Sequence, residues 1–197
     1  MSLRKRNSLL MSAFLLLAAL VWVDRSIIYT PKPGSTSQTA VNNDWEKYHQ
    51  KNFTIVKVVD GDTIDIDLPD GKYKTTRIRL LGVDTPETAK SPKGEMYYGP
   101  QASQFTKDMV LGKNVVVVMD ELSKPRDKYG RLLCYIKFPD GRILNQELVS
   151  QGFAYADTRF KHSDYEKYIE LEKTAERNKK GLWEKVTPGQ MPEWRTH

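Results

Sequence analysis

Residues 60–68, DGDTIDIDL, hold the pattern that decides the fold. The chain turns at Asp60-Gly61, and from Thr63 onward apolar residues alternate strictly with polar ones. A period of two is typical of a β-strand that buries one face. The stretch therefore predicts a strand that leaves a tight turn rich in carboxylates.

Further strand-like runs lie on both sides of this stretch, at 53–59 and at 73–81. The turn sequence Pro-Asp-Gly-Lys at 69–72 predicts a hairpin before the second of these runs. Two later runs, 115–119 and 132–138, predict the fourth and fifth strands. The single cysteine, Cys134, lies in the fifth and is predicted to be a small buried core residue.

Three helices complete the pattern. The first is predicted to begin at Gly99-Pro100 and to stop at Gly112, since proline is favoured in the first helical turn and glycine after the last. A short helix is predicted at 145–151. The last is predicted to start at Ser163, whose spacing to Glu166 fits a capping box. These elements indicate the α+β class, and five strands with an inserted helix suit a small closed barrel such as the OB-fold. The pattern alone does not select that barrel over another small antiparallel sheet.

Charge and cysteine content restrict the possible functions. The 197 residues carry a net charge of +6, but residues 1–43 hold five basic residues and one acid, which leaves 26 basic and 24 acidic residues in the rest. Bulk charge therefore gives little support for nucleic-acid binding, and the local arrangement of charges must carry that hypothesis. One cysteine cannot form an internal disulfide, and no Cys/His pattern predicts a zinc site. The three histidines, at 49, 162 and 197, are predicted to be surface residues.

The N-terminus has the pattern of an export signal. Arg4-Lys5-Arg6 precedes an apolar run at 9–23, which is slightly short for a membrane-spanning helix of roughly 17–25 residues. Residues 1–29 are predicted to be a signal peptide or a retained signal anchor that delivers the rest of the chain outside the cytoplasm, secreted or membrane-anchored. Residues 30–50 are predicted to be a flexible linker, and 186–197 a C-terminal tail without a readable signal.

Five segments in order resemble the staphylococcal nuclease (thermonuclease) family. Each is weak alone, but together, between Phe53 and Trp183, they are highly specific. They are Asp60-Gly61-Asp62-Thr63, Arg79 to Glu87, Tyr98-Gly99-Pro100, Asp127 to Arg131, and Gly181-Leu182-Trp183. The resemblance implies an OB-fold barrel over 51–185 and a Ca²⁺-dependent nuclease acting on DNA or RNA with little sequence preference, which leaves 3′-phosphate ends.

The resemblance assigns the metal ligands. It implies that Asp62 and Asp84 bind Ca²⁺ through their carboxylates and that Thr85 binds it through its backbone carbonyl, with water and substrate phosphate completing the shell. Hard cations such as Ca²⁺ prefer oxygen ligands. From the residues alone, Asp62 could equally cap a turn and Asp84 could initiate one. Asp60 could tune the site or simply form the turn.

The remaining motif residues are assigned to catalysis and substrate binding. By resemblance, Glu87 is the general base that activates water, and Arg79 and Arg131 stabilise the phosphorus transition state. A guanidinium forks onto two phosphate oxygens, which lysine cannot imitate. Lys128 and Tyr129 match positions that hold a terminal phosphate, although a plain hairpin turn would explain them as well.

Two rival functions are compatible with the same fold. A non-catalytic nucleic-acid-binding module would typically lack one or more of the acids and arginines, all of which are present here. A membrane-tethered structural domain with an incidental Ca²⁺ site would bind metal without any dependence on phosphate. The sequence predicts a monomer by default. Arg77, outside the motif, is predicted to be a solvated neighbour of the site.

Overall fold

The computed structural model describes residues 43–92 and 94–195. The predicted export signal and the linker up to residue 42 lie outside the described residues. Within the described ranges, no helix is both long enough and apolar enough to cross a membrane.

A closed five-stranded barrel forms the core of the fold, as the OB-fold prediction expects. The strands are β1 (Lys51–Val58), β2 (Thr63–Ile66), β3 (Thr76–Leu80), β5 (Asn114–Val118) and β6 (Leu132–Lys137), and they follow one another in the order β1-β2-β3-β6-β5. All neighbours are antiparallel except β3 and β6, which run parallel. Closure leaves these strands without a free edge.

A second, two-stranded sheet was not predicted. It pairs β4 (Val83–Asp84) with β7 (Tyr155–Ala156), with Asp84 opposite Tyr155. Strands of two residues are too short to show a period of two, so no sequence pattern identifies them. This small sheet matters because it holds Asp84 beside the segment that follows the second helix.

Three helices of the described chain correspond to the predicted ones: α1 (Gly99–Val110), α2 (Leu144–Ser150) and α3 (Tyr165–Arg177). The predicted proline start of α1 is confirmed, and Gly112 has a φ of +73° just beyond the end of the helix. The predicted capping role of Ser163 is wrong. Asp164 is the N-cap of α3, without a side-chain cap, while the Ser163 N–H donates to Asp120.

The barrel interior is apolar, and Cys134 lies fully buried within it as predicted. The prediction of a surface histidine is wrong at His162, which is buried. Its Nδ1 lies 2.9 Å from the Tyr135 hydroxyl, which donates to Asp120 at 2.7 Å. Gly82 leaves no room for a side chain against the imidazole ring. A histidine in a polar, tyrosine-rich segment gives no sequence signal of burial.

The folded chain extends beyond both ends of the predicted domain. Residues 43–48 are helical and Tyr48 is fully buried, so the predicted linker boundary at residue 50 is too late. Arg126 fixes this helix to the barrel through a double contact with Asp44, at 2.7 and 2.8 Å. At the other end, two 3₁₀ turns lie within the predicted tail, at Pro188–Gln190 and Glu193–Arg195.

Candidate active site

The turn between β1 and β2 places Asp62 directly against Thr85. The Asp62 carboxylate accepts from the Thr85 backbone N–H at 2.8 Å and from its hydroxyl at 2.9 Å. Gly61 permits this approach, since a Cβ there would lie 2.6 Å from the Thr85 hydroxyl oxygen. The Gly61 carbonyl also accepts from the buried Thr106 hydroxyl of α1. Helix and loop together therefore fix the position of Asp62.

Arg79 joins the two predicted metal-binding carboxylates. One guanidinium nitrogen lies 2.9 Å from Asp62, and the other donates to Asp84 at 2.6 Å. The first nitrogen also donates to the Val83 carbonyl at 2.8 Å. The arginine side chain is only 13% exposed. Three of the predicted site residues thus form one contiguous buried cluster.

Burial shifts the ionisation of this cluster. It raises the pKa of Asp62 above its ordinary value, although the positive charge of Arg79 opposes the shift. Burial raises the pKa of Asp84 in the same way. Asp60, whose carboxylate accepts from the Asp62 N–H at 3.1 Å, adds a further negative charge that raises the pKa of Asp62. Burial therefore favours the protonated form of both carboxyls, and a nearby positive charge favours the ionised form.

The donor set fits a hard divalent cation that keeps part of its shell for other ligands. Asp62 and Asp84 supply carboxylate oxygens, which Ca²⁺ and Mg²⁺ prefer. Among the described residues no group of three or more His, Cys, Asp or Glu side chains could hold a metal ion. Two carboxylates cannot complete the shell of such a cation, so its remaining ligands would include water and phosphate. Thr85 touches Asp62 through its N–H and hydroxyl, and its predicted carbonyl ligation remains a prediction.

Glu87 is half-buried and its backbone is tightly fixed. Its carbonyl accepts from the Met96 N–H at 2.9 Å and packs directly against Gly99, where any side chain would collide with it. The start of α1 therefore sets the position of Glu87 three residues after Asp84. This explains why the Tyr-Gly-Pro motif accompanies the acidic one along the sequence.

Arg131 lies directly before β6, the strand that pairs with the strand of Arg79. Arg79 pairs with Leu133 in the parallel β3–β6 register, and Arg131 precedes Leu133 by two residues. The Arg131 side chain is held by Asp127 at 2.7 Å. Both predicted phosphate-binding arginines thus lie at the β3–β6 pair, each already paired with an acid.

The other two predicted substrate residues occupy the exposed turn before β6. The Tyr129 ring is 72% exposed, and the Lys128 ammonium lies 5.0 Å from its centroid. Asp127 shapes the turn by accepting from the Tyr129 N–H at 2.9 Å. An exposed aromatic ring with cations beside it is available for stacking on a nucleobase. Arg77, by contrast, pairs with buried Asp65 at 2.8 Å and is not simply solvated as predicted.

Two functional candidates were missed by the sequence analysis. The Trp194 indole N–H donates to Asp84 at 2.8 Å, and Arg159 lies 3.4 Å from the same carboxylate. Trp194 stands in a segment without periodicity, 110 residues from its partner. Only pairing information between distant positions could have identified this contact.

Comparison with known proteins agrees with the geometry. The sequence model described as "Staphylococcal nuclease homologue" matches residues 77–185, which include Arg79, Asp84, Glu87 and Arg131 but begin after Asp62. The thermonuclease of Staphylococcus hyicus is 35% identical over 136 residues, covering 68% of this chain and 77% of that protein. The thermonuclease of Staphylococcus intermedius is 38% identical over the same shares of both chains.

An uncharacterized endonuclease of Escherichia coli O157:H7 is 34% identical over 146 residues, covering 71% of this chain and 80% of that protein. The family model matches more than half of the chain, and the alignments with these relatives cover more than two thirds of it. Together with the closed five-stranded barrel and the clustered acids and arginine, these similarities show that the chain belongs to the staphylococcal nuclease family.

Proposed function

We propose that this protein is an exported Ca²⁺-dependent nuclease that hydrolyses phosphodiester bonds of DNA and RNA with low sequence specificity. One observation carries the proposal: Asp62, Asp84 and Arg79 form one contiguous cluster on the barrel, in a family whose named relatives are nucleases. Carboxylates for a hard cation and a guanidinium for a phosphate are the groups that this reaction requires.

The metal would be held by the Asp62 and Asp84 carboxylates and by the Thr85 carbonyl. When bound, Ca²⁺ supplies Lewis-acid polarisation of the phosphoryl oxygens and a template for the substrate. The Thr85 N–H and hydroxyl already orient one Asp62 oxygen, at 2.8 and 2.9 Å. Fixed ligands reduce the reorganisation required on binding, which supports a site that is prepared before substrate arrives.

Glu87 is proposed as the general base. A carboxylate placed next to the phosphate accepts the proton of the attacking water as its oxygen bonds to phosphorus. Attack on the side opposite the 5′-oxygen breaks the bond between phosphorus and that oxygen. The leaving oxygen takes up a proton from solvent to become a 5′-hydroxyl, and a 3′-phosphate end remains. The backbone contacts of Glu87 with Met96 and Gly99 fix the residue against the start of α1, which supports this role.

Arg79 and Arg131 are proposed to bind the phosphate as charge develops on its oxygens. Preorganised charged donors of this kind typically contribute about 2.7–4 kcal/mol to transition-state stabilisation. Arg131 would exchange Asp127 for phosphate, and Arg79 would keep its contact with the Val83 carbonyl. Contacts to phosphate carry no sequence information directly, which supports low sequence specificity. Lys128 and Tyr129 would bind the neighbouring phosphate and base.

The proposed location rests on the N-terminal sequence. The apolar run at 9–23 after three basic residues supports export, either as a cleaved signal or as an anchor that tethers the nuclease to the membrane. The protein is proposed to act as a monomer outside the cytoplasm.

A cleavage assay with a matched carboxylate control tests the proposed activity. The full-length chain is incubated with single-stranded DNA in Ca²⁺ or in chelator, alongside Glu87→Gln and Glu95→Gln. Glu95 is exposed in the segment between Glu87 and α1, so its variant controls for loss of one acid nearby. We expect Ca²⁺-dependent cleavage that Glu87→Gln reduces by about 10²–10⁴-fold, with Glu95→Gln unchanged. DNA binding without cleavage would instead favour the non-catalytic binding module.

A further inference from the structure

The C-terminal segment 191–195 reaches back to the candidate metal site. The Trp194 indole N–H donates to the Asp84 Oδ2 atom at 2.8 Å. The other oxygen, Oδ1, accepts from Arg79 at 2.6 Å. The two oxygens of one carboxylate are thus held by donors from β3 and from the C-terminal segment.

The segment is anchored independently of Asp84. Arg195 binds Glu172 of α3 at 2.7 Å, and the same Glu172 oxygen accepts from the Ala156 N–H of β7 at 2.9 Å. The Arg195 guanidinium also lies 5.1 Å from the Tyr155 ring. Because Tyr155 pairs with Asp84 across the β4–β7 sheet, the anchor is attached to the strand that neighbours the metal ligand.

Arg159 contacts both Trp194 and Asp84. Its guanidinium stacks 4.7 Å from the Trp194 ring centroid and lies 3.4 Å from Asp84 Oδ1. Asp157 holds Arg159 with two contacts of 2.8 Å. The indole is therefore held by its ring as well as by its N–H, and it cannot rotate without breaking several contacts.

We propose that Trp194 is a positioning residue that fixes the plane of the Asp84 carboxylate for metal binding. The terminal torsion of an aspartate is soft, so a carboxylate plane is defined only by its hydrogen bonds. A neutral N–H orients Oδ2 without competing as a cation for the metal, and Oδ2 keeps a second lone pair for a metal ion. Partners that orient a metal ligand typically change metal affinity by about 10–100-fold when they are removed. This inference rests on the proposed Ca²⁺ site.

The test separates the hydrogen bond from the ring. Trp194→Phe keeps an aromatic ring beside Arg159 and removes the N–H donor together with part of the ring area. Trp45→Phe is the matched control, since Trp45 packs against His49 and lies outside the C-terminal segment 191–195. Calcium affinity of the full-length chain is measured by titration calorimetry with CaCl₂ alone, and melting temperature is measured in chelator. We expect Trp194→Phe to bind Ca²⁺ about 10–100-fold more weakly, with its metal-free melting temperature close to that of Trp45→Phe.

A metal-free measurement checks the contact itself. Solvent exchange of the indole N–H groups is followed by NMR in chelator, and we expect the Trp194 N–H to be protected in the wild type and to lose protection in Asp84→Ala. Unprotected exchange in the wild type, unchanged Ca²⁺ affinity in Trp194→Phe, or tighter binding in that variant would each overturn the proposal. If the wild type itself fails to bind Ca²⁺, the proposed metal dependence fails first, and Trp194 retains only a packing role.

Discussion

Replacing Arg79 with methionine tests how the two buried carboxylates are stabilised. The side chain is 13% exposed, and its guanidinium contacts Asp62 at 2.9 Å and Asp84 at 2.6 Å. Removing one partner from a buried ion pair typically costs about 3–5 kcal/mol, because an uncompensated charge remains. Here two carboxylates lose their shared cation. We therefore expect the free energy of unfolding at pH 8 in chelator to fall by about 3–5 kcal/mol.

The loss of stability in Arg79→Met should be larger at pH 8 than at pH 5. Burial already raises the pKa of both carboxyls, and loss of the guanidinium raises these pKa values further. A carboxyl with a raised pKa in the folded state contributes stability that is present at low pH and lost as the pH rises. The variant should therefore recover stability relative to the wild type between pH 8 and pH 5. Added Ca²⁺ should stabilise the variant at pH 8 by supplying the missing positive charge.

Denaturant unfolding of the full-length chain measures both effects. Arg142→Met is the control, because Arg142 and its partner Asp140 are each 53% exposed. Exposed ion pairs contribute little to stability, so this variant should match the wild type at both pH values. The reasoning is refuted if Arg79→Met unfolds together with Arg142→Met, or if its cost is the same at pH 5 and pH 8.

Three further predictions address the turn, the buried histidine and the substrate surface. Gly61→Ala places a Cβ 2.6 Å from the Thr85 hydroxyl and should lower stability by about 1–3 kcal/mol in denaturant unfolding. Gly189→Ala is the control and should be neutral, since nothing lies within 4 Å of that position. Equal stability of the two variants would contradict the close packing at Gly61. Burial lowers the pKa of His162. The stability that the neutral imidazole contributes is therefore present above the pKa of the unfolded state and is lost as the pH falls, by at most about 1.4 kcal/mol per pH unit. His162→Gln should lose less stability than the wild type between pH 7.5 and pH 5, and parallel curves of unfolding free energy against pH would contradict this. Tyr129→Ala removes a ring that is 72% exposed and should raise KM for single-stranded DNA by about tenfold with kcat unchanged; unchanged KM would exclude a stacking role.

The individual strands of the barrel could be predicted because their signals are local, whereas the closed barrel was implied by the family resemblance. Alternation over 63–68 predicted β2, and the turn residues around it predicted its hairpin partners. The proline start of α1 was also predictable, since a fixed φ and a missing N–H act within one helical turn. These features depend on neighbours in sequence, so the residues themselves carry the information.

Other features depend on partners distant in sequence and could not be predicted. Asp84 meets Trp194 and Arg159 only because the β4–β7 sheet and the C-terminal segment bring them together. His162 is buried against Gly82 and Tyr135, and no periodic pattern in the sequence predicts that burial. The family resemblance grouped Asp62, Arg79 and Asp84, which the structure brings together, but it did not predict the hydrogen bonds that orient them.

The proposed nuclease activity depends most directly on Asp62 and Asp84, the two carboxylates that Arg79 joins. The decisive measurement is the initial rate of single-stranded DNA cleavage by the full-length chain against free Ca²⁺, for the wild type and for Asp84→Asn. We predict saturable Ca²⁺ dependence in the wild type and, in the variant, a rate at subsaturating Ca²⁺ that is at least about 10²-fold lower. Cleavage that persists in chelator, or an Asp84→Asn rate equal to that of the wild type, would contradict the account.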